Sequence, residues 1–344
     1  MTIAAPPTLD FWSTEQLVLC SDDRYGLHAV IAVDNTALGK GLGGVRFKEY
    51  ANPEAGVTEA RRLARAMSFK NAAADLSYGG AKSVIFADGA VEDRAGLMRR
   101  FGEFVARTGM YLPGVDMGTS TDDLKWMAEG GASVPSIDDN PSASTATGVY
   151  YAIKAAVDAC SDLASLSSSH LLIQGVGNVG EVLARRLAAE GARLTLTDVD
   201  SIRAQALAHE LGAQTIDVRD IPTAECDVFV PCAVAKVIDS AVAQKLRCVI
   251  VAGAANDTLS DDSVADILLQ RKITYVPDFL ANAGGVIDID VRYRNLGANE
   301  LESSLEAIGT RVSSVLAQAE SERVSPLVVA HKYAQQRITD ASQR

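Results

Sequence analysis

The chain has 344 residues, enough for two domains that each bury a core. Hydrophobic residues make up 48% and charged residues 22%, an ordinary globular balance. The formal net charge of −12 argues against nucleic acid and against an anionic membrane surface as partners.

The first residues, MTIAAPPTLDFWSTEQ, have neither a basic segment nor a long apolar run and do not read as a signal peptide. GLHAVIAVDNT (26–36) and GGVRFKEY (43–50) predict strands. The stretch 53–75 predicts a helix, because Val57, Ala60, Ala64 and Met67 recur at steps of three and four, with Arg61, Arg62 and Arg65 as its solvated face. SYGGAKSVIF (77–86) predicts an apolar strand that opens on Lys82. Such an amine either snorkels to water or has a task in a dry place. The polar stretch SIDDNPSASTATG (136–148) reads as a crossing between domains.

Beyond it the pattern changes to apolar strands alternating with helices: 171–174, 193–197, 227–230, 248–253 and 273–276. That alternation marks a parallel, doubly wound sheet. The first of these strands runs into GVGNVG, which sets Gly175, Gly177 and Gly180 in the dinucleotide spacing and opens a helix. Gly175 would permit the tight turn, Gly177 the approach of a pyrophosphate and Gly180 close helix packing. The helix start, with Asn178 and Val179, would offer N–H groups to the phosphates. Asp198, at the end of the next strand, would accept hydrogen bonds from the adenosine ribose and repel a 2′-phosphate, favouring NAD over NADP. The segments 302–322 and 325–338 predict two further helices. Five scattered cysteines without a CxxC pair fit a reduced cytoplasm, and four histidines without ligand spacing give no metal site.

A nicotinamide domain implies hydride transfer. Lys70 and Lys82, among small and apolar residues, and Asp116, between apolar residues and glycine, suit an acid–base site; a plain salt bridge is the alternative.

The motifs GGVRF, MSFKNA, YGGAKSVI, GVDMGTS, GVGNVG, PCAVA, GAAND and PDFLANAGGVI occur in this order. In these the chain resembles the glutamate/leucine/phenylalanine/valine dehydrogenase family of L-amino acid dehydrogenases. The resemblance implies an α/β protein with an N-terminal mixed α/β substrate and oligomerisation domain (1–146), with a C-terminal helix (about 322–344) packing back on it. A Rossmann-type NAD-binding domain (147–321) would follow. It implies that Lys70 binds the substrate α-carboxylate, that Lys82 is the general base activating water, and that Asp116 relays protons at the substrate nitrogen. Thr145, Asn256 and Asn282 would contact nicotinamide, its ribose or the substrate, and Cys232 and Ala233 would lie near the adenosine ribose. Gly43, Gly44, Gly79 and Gly80 would let backbone approach the substrate, which would lie in the cleft between the domains.

The glutamate-specific relatives hold the substrate's second carboxylate with a lysine and a serine where this chain has Leu42 and Ile289. A carboxylate buried against two aliphatic side chains would be unpaired. Leu42, Gly114, Val286 and Ile289 would therefore line an apolar pocket, roomier than in the leucine branch, where alanine is usual at Gly114. The implied activity is reversible oxidative deamination of a branched-chain or aromatic L-amino acid to the 2-oxo acid, ammonium and NADH, by a homo-oligomer. A dehydrogenase of a modified or dicarboxylic amino acid, or a non-catalytic NAD-binding protein, are the other readings. Ala81, Lys236 (in CAVAKVI), Asp257 and Asp288 depart from the family pattern.

Overall fold

A computed structural model of the chain describes residues 13–87, 89, 91–136 and 141–343. The chain divides into two compact units, Met1–Asp139 with Gln335–Arg344, and Asn140–Ala334.

In the first unit the strands are β1 (Gln16–Asp22), β2 (Leu27–Asn35), β3 (Gly41–Lys48), β4 (Gly79–Phe86) and β5 (Tyr111–Val115). The helices are α1 (Pro53–Ala73), α2 (Arg94–Thr108) and α3 (Thr121–Glu129). The sheet order is β1-β2-β4-β3-β5, with β3 parallel to both of its neighbours. Alternation along β4 splits its residues between two packed faces. Ala81 and Ile85 join Ile31, Val45, Met98, Phe101 and Leu124 in a core with α2 and α3. Val84 joins Val30, Ala32, Ala60 and Ala64 under α1. Lys82 therefore belongs to the α1 face.

Asn52 caps α1 by accepting the Ala55 N–H at 2.8 Å, a contribution of about 1 kcal/mol. The helix ends at Ala73, before the expected Asp75, which adopts a left-handed backbone with φ 61°. Arg61 is not on a solvated face: it is buried, with its Nε donating to Thr14 Oγ1 at 2.8 Å, whereas Arg62 and Arg65 are exposed. The first strand, β1, carried no clear alternation and was not expected.

The second unit opens with α4 (Ser142–Asp158). The expected crossing is therefore helical from Ser142 on, and residues 137–140 lie outside the described residues. Six parallel strands follow: β6 (His170–Gln174), β7 (Arg193–Thr197), β8 (Gln214–Thr215), β9 (Val228–Pro231), β10 (Ile250–Val251) and β11 (Thr274–Tyr275). Helices α5 (Asn178–Ala189), α6 (Ser201–Leu211), α7 (Ser240–Ala243), α8 (Val264–Gln270), α9 (Asp278–Ala281), α10 (Gly284–Tyr293), α11 (Ala298–Glu322) and α12 (Pro326–Ser342) complete the chain. The order β11-β10-β9-β6-β7-β8 reverses direction at β6/β9, which is the doubly wound order with its switch point beside the glycine turn. The last turns of α12 fall in the first unit, where Arg337 NH1 donates to the Ala72 carbonyl at 2.5 Å.

Candidate acid–base site and dinucleotide turn

Strand register assembles the first site. Leu42 pairs with Leu112, Gly44 with Gly114, and Val45 with Ser83, so Leu42, Gly44, Lys82 and Gly114 share the α1 face of the sheet. Lys82 is only 6% exposed and forms an ion pair with Asp116 Oδ2. It does not snorkel. Burial, then the Arg46 charge, pushes its pKa below the usual lysine value, against the opposing pull of Asp116 and Glu59. Burial alone would raise the Asp116 carboxyl, but the Lys82 and Arg46 charges override it and bring it down to about 2.

Asp116 lies just past β5, where its position is fixed by backbone. Thr119 Oγ1 accepts the Asp116 N–H at 2.9 Å and stands 2.8 Å from the Val45 carbonyl, tying the loop to β3. Gly118 makes that bend with φ +78°, and a Cβ there would overlap the Phe47 carbonyl. Gly44 leaves room for the pair: a Cβ would lie 2.7 Å from Asp116 Cβ and 3.0 Å from Lys82 Nζ.

The sequence reading missed Arg46, Glu59 and Tyr50. Arg46 Nε reaches Asp116 Oδ2 at 3.1 Å, its NH1 reaches Glu59 Oε1 at 2.7 Å, and Tyr50 donates to Glu59 Oε2. The available signal was spacing, since Arg46 follows Gly44 by two residues and so shares its face. Lys70 is half-buried in the last turn of α1, three helical turns from Glu59 and so on the same side of the helix.

Gly79 and Gly80 have a reason other than the expected substrate approach. A Cβ on Gly79 would overlap the Asn35 carbonyl, and one on Gly80 the Ala64 carbonyl and Ser68 amide of α1. Gly43 likewise abuts the Ala81 carbonyl. Ala81 itself lies in the α2-side core, facing away from Lys82. At Gly114, by contrast, a Cβ would meet nothing within 4 Å.

In the second unit Gly175 turns with φ +91° and presses on Ala233, while Gly180 lies against the Gly175 carbonyl with Cys232 Cβ close by. Gly177 caps α5, and a Cβ on it would project into open space. Asp198 accepts the Val176 N–H at 2.8 Å and the Asp200 N–H at 2.9 Å, which sets its carboxylate beside the turn. Asn178 and Val179 form the first turn of α5. The Asn282 amide donates to Ala254 O and Asn256 Oδ1, both at 3.1 Å, while its own Oδ1 is buried without a hydrogen-bond partner. Thr145 on α4 lies against α10, where a Cβ on Gly285 would be 2.9 Å from its Oγ1. Val286 (buried) and Ile289 (half-buried), three apart on α10, share one side of it.

Asp288 is buried and structural in its contacts, accepting from Ser144 Oγ at 2.9 Å and Arg292 Nε at 2.6 Å. Lys236 and Asp257 are both left-handed, and the Lys236 N–H donates to the Asp257 carbonyl at 2.6 Å. Asp and Asn both tolerate that backbone, so Asp257 keeps the turn. Among the described residues no cluster of His, Cys, Asp or Glu could hold a metal ion, and no helix is long and apolar enough to cross a membrane.

Residues 15–131 match the dimerisation domain of the Glu/Leu/Phe/Val dehydrogenases, and residues 196–344 match the Glutamate/Leucine/Phenylalanine/Valine dehydrogenase domain. The chain belongs to the glutamate/leucine/phenylalanine/valine dehydrogenase family. It is 35% identical to leucine dehydrogenase of Bacillus subtilis (strain 168) over 96% of this chain and 93% of that protein. It is 32% identical to phenylalanine dehydrogenase of Thermoactinomyces intermedius, over 96% and 93%. The crystal structure of L-tryptophan dehydrogenase from Nostoc punctiforme superposes with a TM-score of 0.83 at 29% identity, covering 96% of this chain and 97% of that one. Membership of this family makes the chain an amino acid dehydrogenase, an oxidoreductase.

Proposed function

We propose that the chain catalyses reversible, NAD-dependent oxidative deamination of a large apolar L-amino acid. The observation that carries this is the buried Lys82–Asp116 pair on a strand face that Gly44 keeps open. Bound NAD would supply the hydride acceptor for the substrate Cα. Lys82, once neutral, takes a proton from the water that attacks the imino carbon. Asp116, ionised well below neutral pH, receives and returns protons at the substrate nitrogen. Lys70 is the counter-charge for the α-carboxylate.

The residues present fit a dinucleotide: an open helix start at Gly177, a carboxylate held at the turn, and the orphaned buried Asn282 Oδ1. We assign NAD rather than NADP to Asp198, and the adenosine ribose to the loop at Cys232 and Ala233. Thr145, Asn256 and Asn282 serve the nicotinamide end.

Leu42 and Gly114 in the first unit, and Val286 and Ile289 on α10, are all apolar, with no cation among them for a second carboxylate. That composition disfavours glutamate. The open space at Gly114 supports an aromatic ring, as do the names of two of the relatives above. The match to a dimerisation domain supports a homo-oligomer assembled through the first unit. The five cysteines are all unpaired, in keeping with a reduced cytoplasm. The test is NADH formation from the twenty L-amino acids at alkaline pH, with reductive amination of the matching 2-oxo acids. Apolar, especially aromatic, substrates should lead, and preference for glutamate would refute the pocket.

A further inference from the structure

Arg46 has no part in the reading above, yet it touches the same carboxylate oxygen as the proposed base. Its Nε lies 3.1 Å from Asp116 Oδ2, the atom that Lys82 Nζ also engages. Its far side is clamped: NH1 to Glu59 Oε1 at 2.7 Å, with Glu59 Oε2 in turn taken by the Tyr50 hydroxyl. A guanidinium held at both edges is a fixed, permanent cation. The cluster thus holds two cations, Lys82 and Arg46, and two carboxylates, Asp116 and Glu59.

We propose that Arg46 is a positioning residue: it fixes Asp116 and, as a permanent positive charge beside Lys82, sets the pH at which Lys82 becomes a base. Without Arg46, Asp116 would serve Lys82 alone and hold the proton on it. With Arg46 present, part of the carboxylate's field is already answered, and a second positive charge nearby is disfavoured. Asp116, beyond β5, and Glu59, on α1, favour its protonated form; Arg46, on β3, and burial oppose it. Tyr50 bears on Glu59 and on Arg46 itself. Tyr111 lies on the opposite face, bonded to Ser83 at 2.9 Å. The inference rests on Lys82 being the base of the proposed dehydrogenase.

The experiment titrates Lys82 directly and follows turnover beside it. Protein carrying lysine labelled with carbon-13 at Cε, with Lys82 assigned by its loss in Lys82→Arg, gives the Lys82 midpoint by NMR without need of substrate. The pH profile of kcat/KM gives the acid limb. Arg46→Gln should move both upward by about one pH unit, Arg46→Lys should restore most of the shift, and Glu59→Gln should move both downward. A merely structural Arg46 would lower stability and leave the midpoint in place. An unmoved midpoint in Arg46→Gln, or shifts of the same sign in Arg46→Gln and Glu59→Gln, overturns the proposal. If Arg46→Gln does not fold, Glu59→Gln decides alone: a downward midpoint supports it and an unmoved one refutes it. Should the midpoint move as stated while no apolar amino acid is oxidised, the functional reading has failed and the charge relation stands.

Discussion

Glycine does opposite work in the two units. Around Lys82, Gly43, Gly79 and Gly80 are pressed against carbonyls and amides of neighbouring strands and of α1, so the protein itself demands their smallness. At the dinucleotide turn, Gly175 and Gly180 are similarly pressed, but Gly177 faces open space and its smallness answers to nothing in the chain. A glycine crowded by its own protein serves the fold; one facing a void at a helix start serves what binds there. The same contrast runs through the charges. The first unit buries its ion pair, whereas the second offers backbone N–H groups and a half-exposed carboxylate.

Four substitutions would break or sharpen that contrast. Lys82→Ala should have the largest effect, a fall in turnover of roughly a hundred- to ten-thousand-fold, as for loss of a general base. NADH affinity, measured by fluorescence titration, should be unchanged, because the dinucleotide turn belongs to the second unit. In unmodified enzyme the lowered Lys82 pKa puts its neutral form within reach at lower pH than for an ordinary lysine, so turnover should rise with pH until that group is deprotonated. A flat acid limb would contradict this.

Gly80→Ala should destabilise the protein by roughly 3 kcal/mol or more, since its Cβ would overlap the α1 backbone at Ala64 and Ser68. Chemical denaturation reads this directly, and a loss under about 1 kcal/mol would mean that the crowding is relieved by easy shifts. Gly177→Ala is the counterpart. Its denaturation midpoint should hold, while the Kd for NADH rises roughly tenfold, about 1.4 kcal/mol. If affinity held and stability fell, the open space would have been misread. Gly114→Ala should be the mildest. Folding should be untouched, and the ratio of kcat/KM for aromatic over branched-chain substrates should drop a few-fold, the scale of one methyl group in an apolar pocket.

Much of this was legible in the residues. Periodicity marked α1 and most strands of the parallel sheet, and the glycine spacing marked the tight turn at Gly175 that opens α5, with Asp198 beside it. Two-residue strands such as β8 left no pattern to read. Arg61 looked solvated because helical periodicity ignores residues distant in sequence, here Ser13 and Thr14, which accept hydrogen bonds from it. Lys82 and Asp116 could be named singly, but their joining depends on register across β4, β3 and β5. Arg46 escaped for the same reason, since a charge in a strand reads as its solvated side until a helix is seen to bring Glu59 against it.

Gly44 and Gly114 stand opposite each other in the β3–β5 ladder, and their futures under mutation differ. Any side chain at Gly44 would strike Asp116 and Lys82, so that position admits no substitution while the ion pair stands. Its neighbour Gly114 has room for new atoms at almost no structural penalty. On the proposed pocket, alanine at Gly114 would narrow the space for a ring and leave Lys82 and Asp116 where they stand, so substrate size could change in one step without disturbing the acid–base pair.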